Sequence, residues 1–178
     1  MDSHRDEPPD LPDEDLSGQP LWRSLRTTLA ACALLCVLAS CPSQTWGMER
    51  VDYQGLQNYL AANKGVAVLV NYWSTACPPC LKEIPGLMAL RVEIPQDQLH
   101  IVGVSLDFDP GAAQRYIENT RLNYPSFLAD PDILSQLDSP LIPQTMLYDR
   151  QGALIVNHEG YLSLEALRSL VEQLPAAP

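Results

Sequence analysis

Cys77 and Cys80 stand two residues apart, with Pro78 and Pro79 between them, in the stretch Asn71–Pro85, NYWSTACPPCLKEIP. Such a pair has three uses: part of a metal clip, a structural disulfide, or a working redox dithiol. A structural zinc site takes four ligands, and beyond the N-terminal region only His100 and His158 remain, without ligand spacing. A disulfide across two residues closes almost no loop and so stabilises little. The redox dithiol is left. At the start of a helix, unpaired N–H groups and the positive dipole end favour thiolate at Cys77, which makes it the nucleophile. Cys80, one turn deeper, is then the thiol that attacks Cys77 and releases a bound partner.

Two further chemistries use the same thiols. A peroxiredoxin-like peroxidase needs a Thr three residues before its reactive Cys and an Arg elsewhere. Ser74 holds that place here, but a resolving Cys only three residues on is unusual for such an enzyme. A Cu(I) carrier would use the two thiolates as soft ligands, although no Met or His flanks them at a helpful spacing. Asp107 and Asp109 read as caps at a strand-to-helix turn rather than as metal ligands. His100 and His158 read as surface or strand-edge residues.

The elements that must hold the pair follow from the apolar pattern. Val66–Trp73, VAVLVNYW, is a continuous β-branched and apolar run, the mark of a strand buried on both faces, and it leads straight into the cysteines. A helix is expected from Pro78, since proline is tolerated in a first turn, with Pro85 kinking it further on. A helix at Tyr53–Asn63 precedes this unit. Leu99–Asp107 reads as a second buried strand, Asp109–Leu122 as a capped helix and Ile133–Leu137 as a short one. QTMLYD and ALIVNHEG form a hairpin about Asp149–Gly152, and Ser163–Leu174 an amphipathic helix. This order makes an α/β fold, a mixed sheet with helices on both faces.

The chain has 178 residues, 46% of them hydrophobic, and a formal net charge of −11. That charge argues against nucleic acid as a partner. Residues 1–20 hold seven acids and four prolines, too little apolar surface to offset the entropy of ordering. Residues 21–41 carry Arg23 and Arg26 and then an apolar core, Leu29–Ala39, of 11 residues. That is short for a membrane span and suits an export signal. Leu38-Ala39-Ser40-Cys41 resembles the lipobox of bacterial lipoproteins, which implies lipidation at Cys41; an uncleaved signal anchor is the alternative. An acidic, proline-rich start is foreign to a signal peptide, so either translation starts nearer Leu21 or an acidic tail precedes an anchor. Residues 42–50 are then a tether and 51–178 the exported domain.

The stretch VLVNYWSTACPPCLKEIPGL (Val68–Leu87) resembles the thioredoxin fold, and within it the TlpA-type branch of exported, membrane-tethered thiol–disulfide oxidoreductases, several of which serve cytochrome c maturation. Ile142–Gly152, IPQTMLYDRQG, is similar to the segment carrying that fold's cis-proline, strand and turn. The resemblance covers about residues 50–174. It implies protein disulfides as substrates, an upstream membrane electron donor, reduction rather than oxidation, a monomer, and no cofactor or metal. It places Pro143 against the cysteines, with Ile142 and Trp73 meeting the partner. Ala76 departs from the branch's usual Trp, and Leu81 from a basic or polar residue.

Asn71 stands where cytosolic thioredoxins have a buried, titratable Asp. Deprotonation of Cys80 then needs another base. Glu83 lies three residues beyond Cys80 on the same helix side. Partly buried, with a raised pKa, it would take that proton directly or through a water. The plainer reading is a surface acid complementing the helix dipole.

Overall fold

The computed structural model describes residues 48–175, apart from 138 and 140. The acidic segment, the export segment with Cys41 and the tether as far as residue 47 lie outside the described residues. Six strands and five helices follow in the order β1 (Arg50–Val51), α1 (Tyr53–Ala62), β2 (Ala67–Trp73), α2 (Pro78–Glu93), β3 (Leu99–Ser105), α3 (Pro110–Thr120), β4 (Ser126–Ala129), α4 (Pro131–Gln136), β5 (Gln144–Tyr148), β6 (Leu154–Glu159) and α5 (Leu164–Val171). The strands form one mixed sheet in the order β1-β4-β3-β2-β5-β6. β1, β4, β3 and β2 run parallel, β5 adds antiparallel to β2, and β6 pairs antiparallel with β5 at the edge.

β2 is central, and every one of its residues is buried. Its alternation divides the core. Leu69 packs with Leu87 and Leu90 of α2 and Leu167 and Leu170 of α5. Val68, Val70 and Tyr72 face the other way, onto Leu56 and Leu60 of α1 and Ile133 of α4. Two-sided burial is why this strand is an unbroken apolar run.

Three expectations need correction. β1 and β4 were absent from the pattern. β1 has two residues, and in the four-residue β4 only Leu128 is fully buried, so neither carries a period; pairing with neighbours defines them. The tether is shorter than 42–50. Arg50 is in the sheet, the Glu49 carbonyl accepts from the Leu128 N–H at 2.9 Å, and the Met48 N–H donates to Gln114 at 3.2 Å. The short helix α4 begins at Pro131, two residues early, because proline suits a first turn. Among the described residues no helix is long and apolar enough to cross a membrane.

Candidate active site

The chain leaves β2 at Trp73 and enters α2 through Ser74–Cys77. Cys77 is the N-cap of α2 in extended conformation, with Pro78 and Pro79 in the first turn. Its Sγ accepts from the Cys80 N–H at 3.3 Å. A sulfur at a helix N-cap that already receives a main-chain N–H is placed to be stabilised as thiolate once reduced. Cys77 and Cys80 are joined in a disulfide. Cys77 is half-buried, whereas Cys80 is buried at 1% exposure, so one sulfur is within reach of a partner and the other is not.

The Ile142–Pro143 bond is cis, as the resemblance implied. The Ile142 carbonyl lies 3.6 Å from Cys77 Sγ. The disulfide has no S–H to donate, so this contact becomes a hydrogen bond only in the dithiol form. Pro143 is buried and its carbonyl accepts from the Gly160 N–H at 2.7 Å.

Glu83 is not a surface acid. It is 1% exposed, more deeply buried than expected. Oε1 accepts from Asn71 Nδ2 at 2.8 Å and Thr145 Oγ1 at 3.0 Å, and Oε2 from the Leu162 N–H at 2.6 Å. Burial pushes its pKa up, and the bonds from Leu162, Thr145 and Asn71 only partly offset this. Asn71, which cannot titrate, is therefore a donor to the buried acid of α2.

Trp73 needs correction. It is wholly buried, its Nε1–H donates to Ser126 Oγ at 3.2 Å, and it packs with Cys80, Ile84, Ala113 and Ile117. It supports the pair from beneath and has no surface to offer a partner. The reason is its place as the last residue of a strand whose odd-numbered side chains point under α2 and α3. Asp107 needs a second correction. Only Asp109 caps α3, accepting from the Gly111 N–H at 2.9 Å. Asp107 turns back to the cysteine loop. Its carboxylate accepts from Ser74 Oγ at 2.8 Å, from the Thr75 N–H at 3.0 Å and from Thr75 Oγ1 at 2.6 Å. Thr145, Leu162 and the clasp made by Asp107 leave no local signal in the sequence, because their partners lie 32 to 79 residues away.

A mixed sheet that brings a helix-end Cys-x-x-Cys disulfide against a cis-proline defines a thioredoxin-like redox protein. A model described as the AhpC/TSA family matches residues 44–158, and the chain belongs to that family. It is similar to the thiol-disulfide oxidoreductase ResA of Halalkalibacterium halodurans, 24% identical over 76% of this chain and 77% of that one. It is also similar to the thiol:disulfide interchange protein HelX of Rhodobacter capsulatus, 30% identical over 63% of this chain and 62% of that one. Among solved structures, a secreted disulfide oxidoreductase of Mycobacterium tuberculosis, homologous to DsbE of E. coli, superposes with a TM-score of 0.56. It is 26% identical, covering 64% of this chain and 86% of that one. Fold, disulfide and relatives agree on thiol–disulfide oxidoreductase activity, and leave the peroxidase reading with less support.

Proposed function

We propose that the protein reduces disulfides of other proteins outside the cytoplasm, tethered to the membrane through its N-terminal segment. The observation that carries the chemistry is the asymmetry of the pair: a half-buried Cys77 capping a helix, and a buried Cys80 one turn from a buried carboxylic acid. The Cys77 thiolate attacks one sulfur of the partner's disulfide. A new S–S bond forms, the partner's bond breaks, and its leaving thiolate takes a proton from water. Glu83 then accepts the proton of Cys80, directly or through a water. The Cys80 thiolate attacks Cys77 Sγ, the mixed disulfide breaks, and the partner leaves with both sulfurs reduced. The protein keeps the Cys77–Cys80 disulfide, which an upstream dithiol donor in the membrane must reduce again.

Ile142, held by its cis bond to Pro143, presents main chain beside Cys77, suited to an extended segment of the partner. The export signal at residues 21–41, with Cys41 as lipid attachment point, supplies the location; the secreted mycobacterial neighbour supports it. Reduction is favoured because the exported branch that Val68–Leu87 resembles mostly reduces. Equilibration of the couple with glutathione buffers tests the direction. A reductant should lie near thioredoxin, about −270 mV, and a value near the strong oxidant DsbA, about −120 mV, would reverse the assignment.

A further inference from the structure

The carboxylate of Asp107 gathers the loop that delivers the nucleophile. Beyond its bonds from Ser74 and Thr75, it accepts from Ser105 Oγ at 2.7 Å, and the Ser105 hydroxyl in turn accepts from the Asp107 N–H at 3.2 Å. Ser74 Oγ also accepts from the Ala76 N–H at 3.1 Å. The Trp73 carbonyl accepts from the Leu106 N–H at 2.8 Å, and the Ser74 carbonyl from the Cys77 N–H at 3.2 Å. Every residue from Trp73 to Cys77 is thus bonded to the end of β3 or to a neighbour that is. A hydroxyl and amide cage of this kind is more than a turn needs. It holds a full negative charge against Thr75, which lies two residues before Cys77.

Among the described residues no Lys or Arg pairs with Asp107, and Arg50, which lines the same cleft, is engaged by Asp130 at 3.2 Å. We infer that Asp107 is a positioning residue that also sets the redox balance: its fixed charge opposes thiolate formation at Cys77 and so holds the couple on the reducing side. This rests on the thiol–disulfide reading above and deepens it. The physical chain is short. A like charge disfavours the charged form of its neighbour. A less stable thiolate makes the dithiol state less favourable, and a less favourable dithiol state is a stronger reductant. The helix end pulls Cys77 toward thiolate, and Asp107 pulls against it.

Other groups about Cys77 do not take over this role. Glu83 lies on α2 with its carboxylate enclosed by Asn71, Thr145 and Leu162. Tyr116 of α3 packs on Trp73 with its hydroxyl raised by burial and therefore neutral. From the side of β5 the nearest group is the uncharged Ile142 carbonyl. Burial pushes the Asp107 pKa up, but the bonds from Thr75, Ser105 and Ser74 outweigh it and hold the acid below the ordinary range. The charge is accordingly constant across neutral pH.

The test uses the full chain in detergent. Asp107→Asn keeps the shape and most acceptors, since the Ser105 hydroxyl can turn to receive the new amide, and it removes the charge. Cys77 pKa is read from thiolate absorbance and from alkylation rate against pH, and the potential from glutathione buffers. The variant should lower the Cys77 pKa by about half to one unit. It should shift the glutathione equilibrium roughly fivefold toward the dithiol, ~20 mV more oxidising at about 30 mV per tenfold. Asp107→Ser reads the same way should the amide variant not fold. Thr75→Val removes one bond to the carboxylate and no charge, and should leave both quantities at their wild-type values. An unchanged or raised pKa in both charge-removing variants overturns the inference. So does an equal shift in Thr75→Val, which would assign the effect to loop geometry. A wild-type pair that fails to equilibrate with glutathione would overturn the thiol–disulfide reading instead.

Discussion

The main-chain N–H of Leu162 donates to Oε2 of Glu83 at 2.6 Å, across 79 residues of chain. This bond, with those from Asn71 and Thr145, is what a buried carboxylate needs to be tolerated at all. Burial nevertheless wins, and the folded pKa stands above the ordinary 4.5. Below about pH 4.5 the acid is protonated in both states and adds no pH dependence. As pH rises from there through the folded pKa, the folded chain holds a proton the unfolded chain has lost, and stability falls. Urea midpoints followed against pH should show this decline in the wild type and a flatter curve in Glu83→Gln. Identical slopes would mean Glu83 titrates normally.

The same substitution has a kinetic signature. Glu83→Gln should leave alkylation of Cys77 unchanged while slowing release of the mixed disulfide by about 10²-fold or more, the range of a lost general base. Wild-type turnover of a protein disulfide between about pH 6 and 8 would leave Glu83 a structural group.

The exposure difference within the pair predicts which variant traps a partner. Cys80→Ser should accumulate a mixed disulfide through Cys77, because nothing remains to resolve it. Cys77→Ser should trap nothing, since Cys80 is buried. Non-reducing electrophoresis distinguishes the two, and the reverse pattern would exchange their roles.

Gly103 tests the floor of the site. A Cβ added there would meet Ser126 Oγ at 2.7 Å and Trp73 Nε1 at 3.0 Å, the two atoms of one hydrogen bond. Gly103→Ala should cost about 1–3 kcal/mol, as overpacking does, and alter Trp fluorescence. A midpoint within error of the wild type would show that β3 and β4 separate easily.

The N-terminal proposal is tested by mass. Protein recovered from membranes should begin at Cys41 carrying lipid, and Cys41→Ala should accumulate as uncleaved precursor. An unmodified start at Met1 would indicate a signal anchor, and an unlipidated start beyond Cys41 ordinary secretion.

The parts of the fold legible in the sequence are those with a local signature. β2 and β3 are unbroken apolar runs because both their faces are covered, and α2 begins where prolines and the N-cap cysteine permit. The pair, the cis-proline and Glu83 could be named from spacing and resemblance. Burial of Trp73 could not, because a Trp at a strand end reads alike whether a helix covers it or not; α3 covers it here. Asp107 looked like its neighbour Asp109, and only the return of the chain to Ser74 and Thr75 separates a cap from a clasp.

The segment between β6 and α5 makes the site depend on the order of synthesis. Gly160 closes on Pro143 and Leu162 on Glu83, yet both follow the cysteines by about eighty residues. A nascent chain therefore exposes its dithiol early, with the acid beside it lacking its strongest donor. Chemistry at the pair matures only when Leu162 arrives, so a chain ending at Gly160 would keep both thiols and the cis-proline and still lack the finished site.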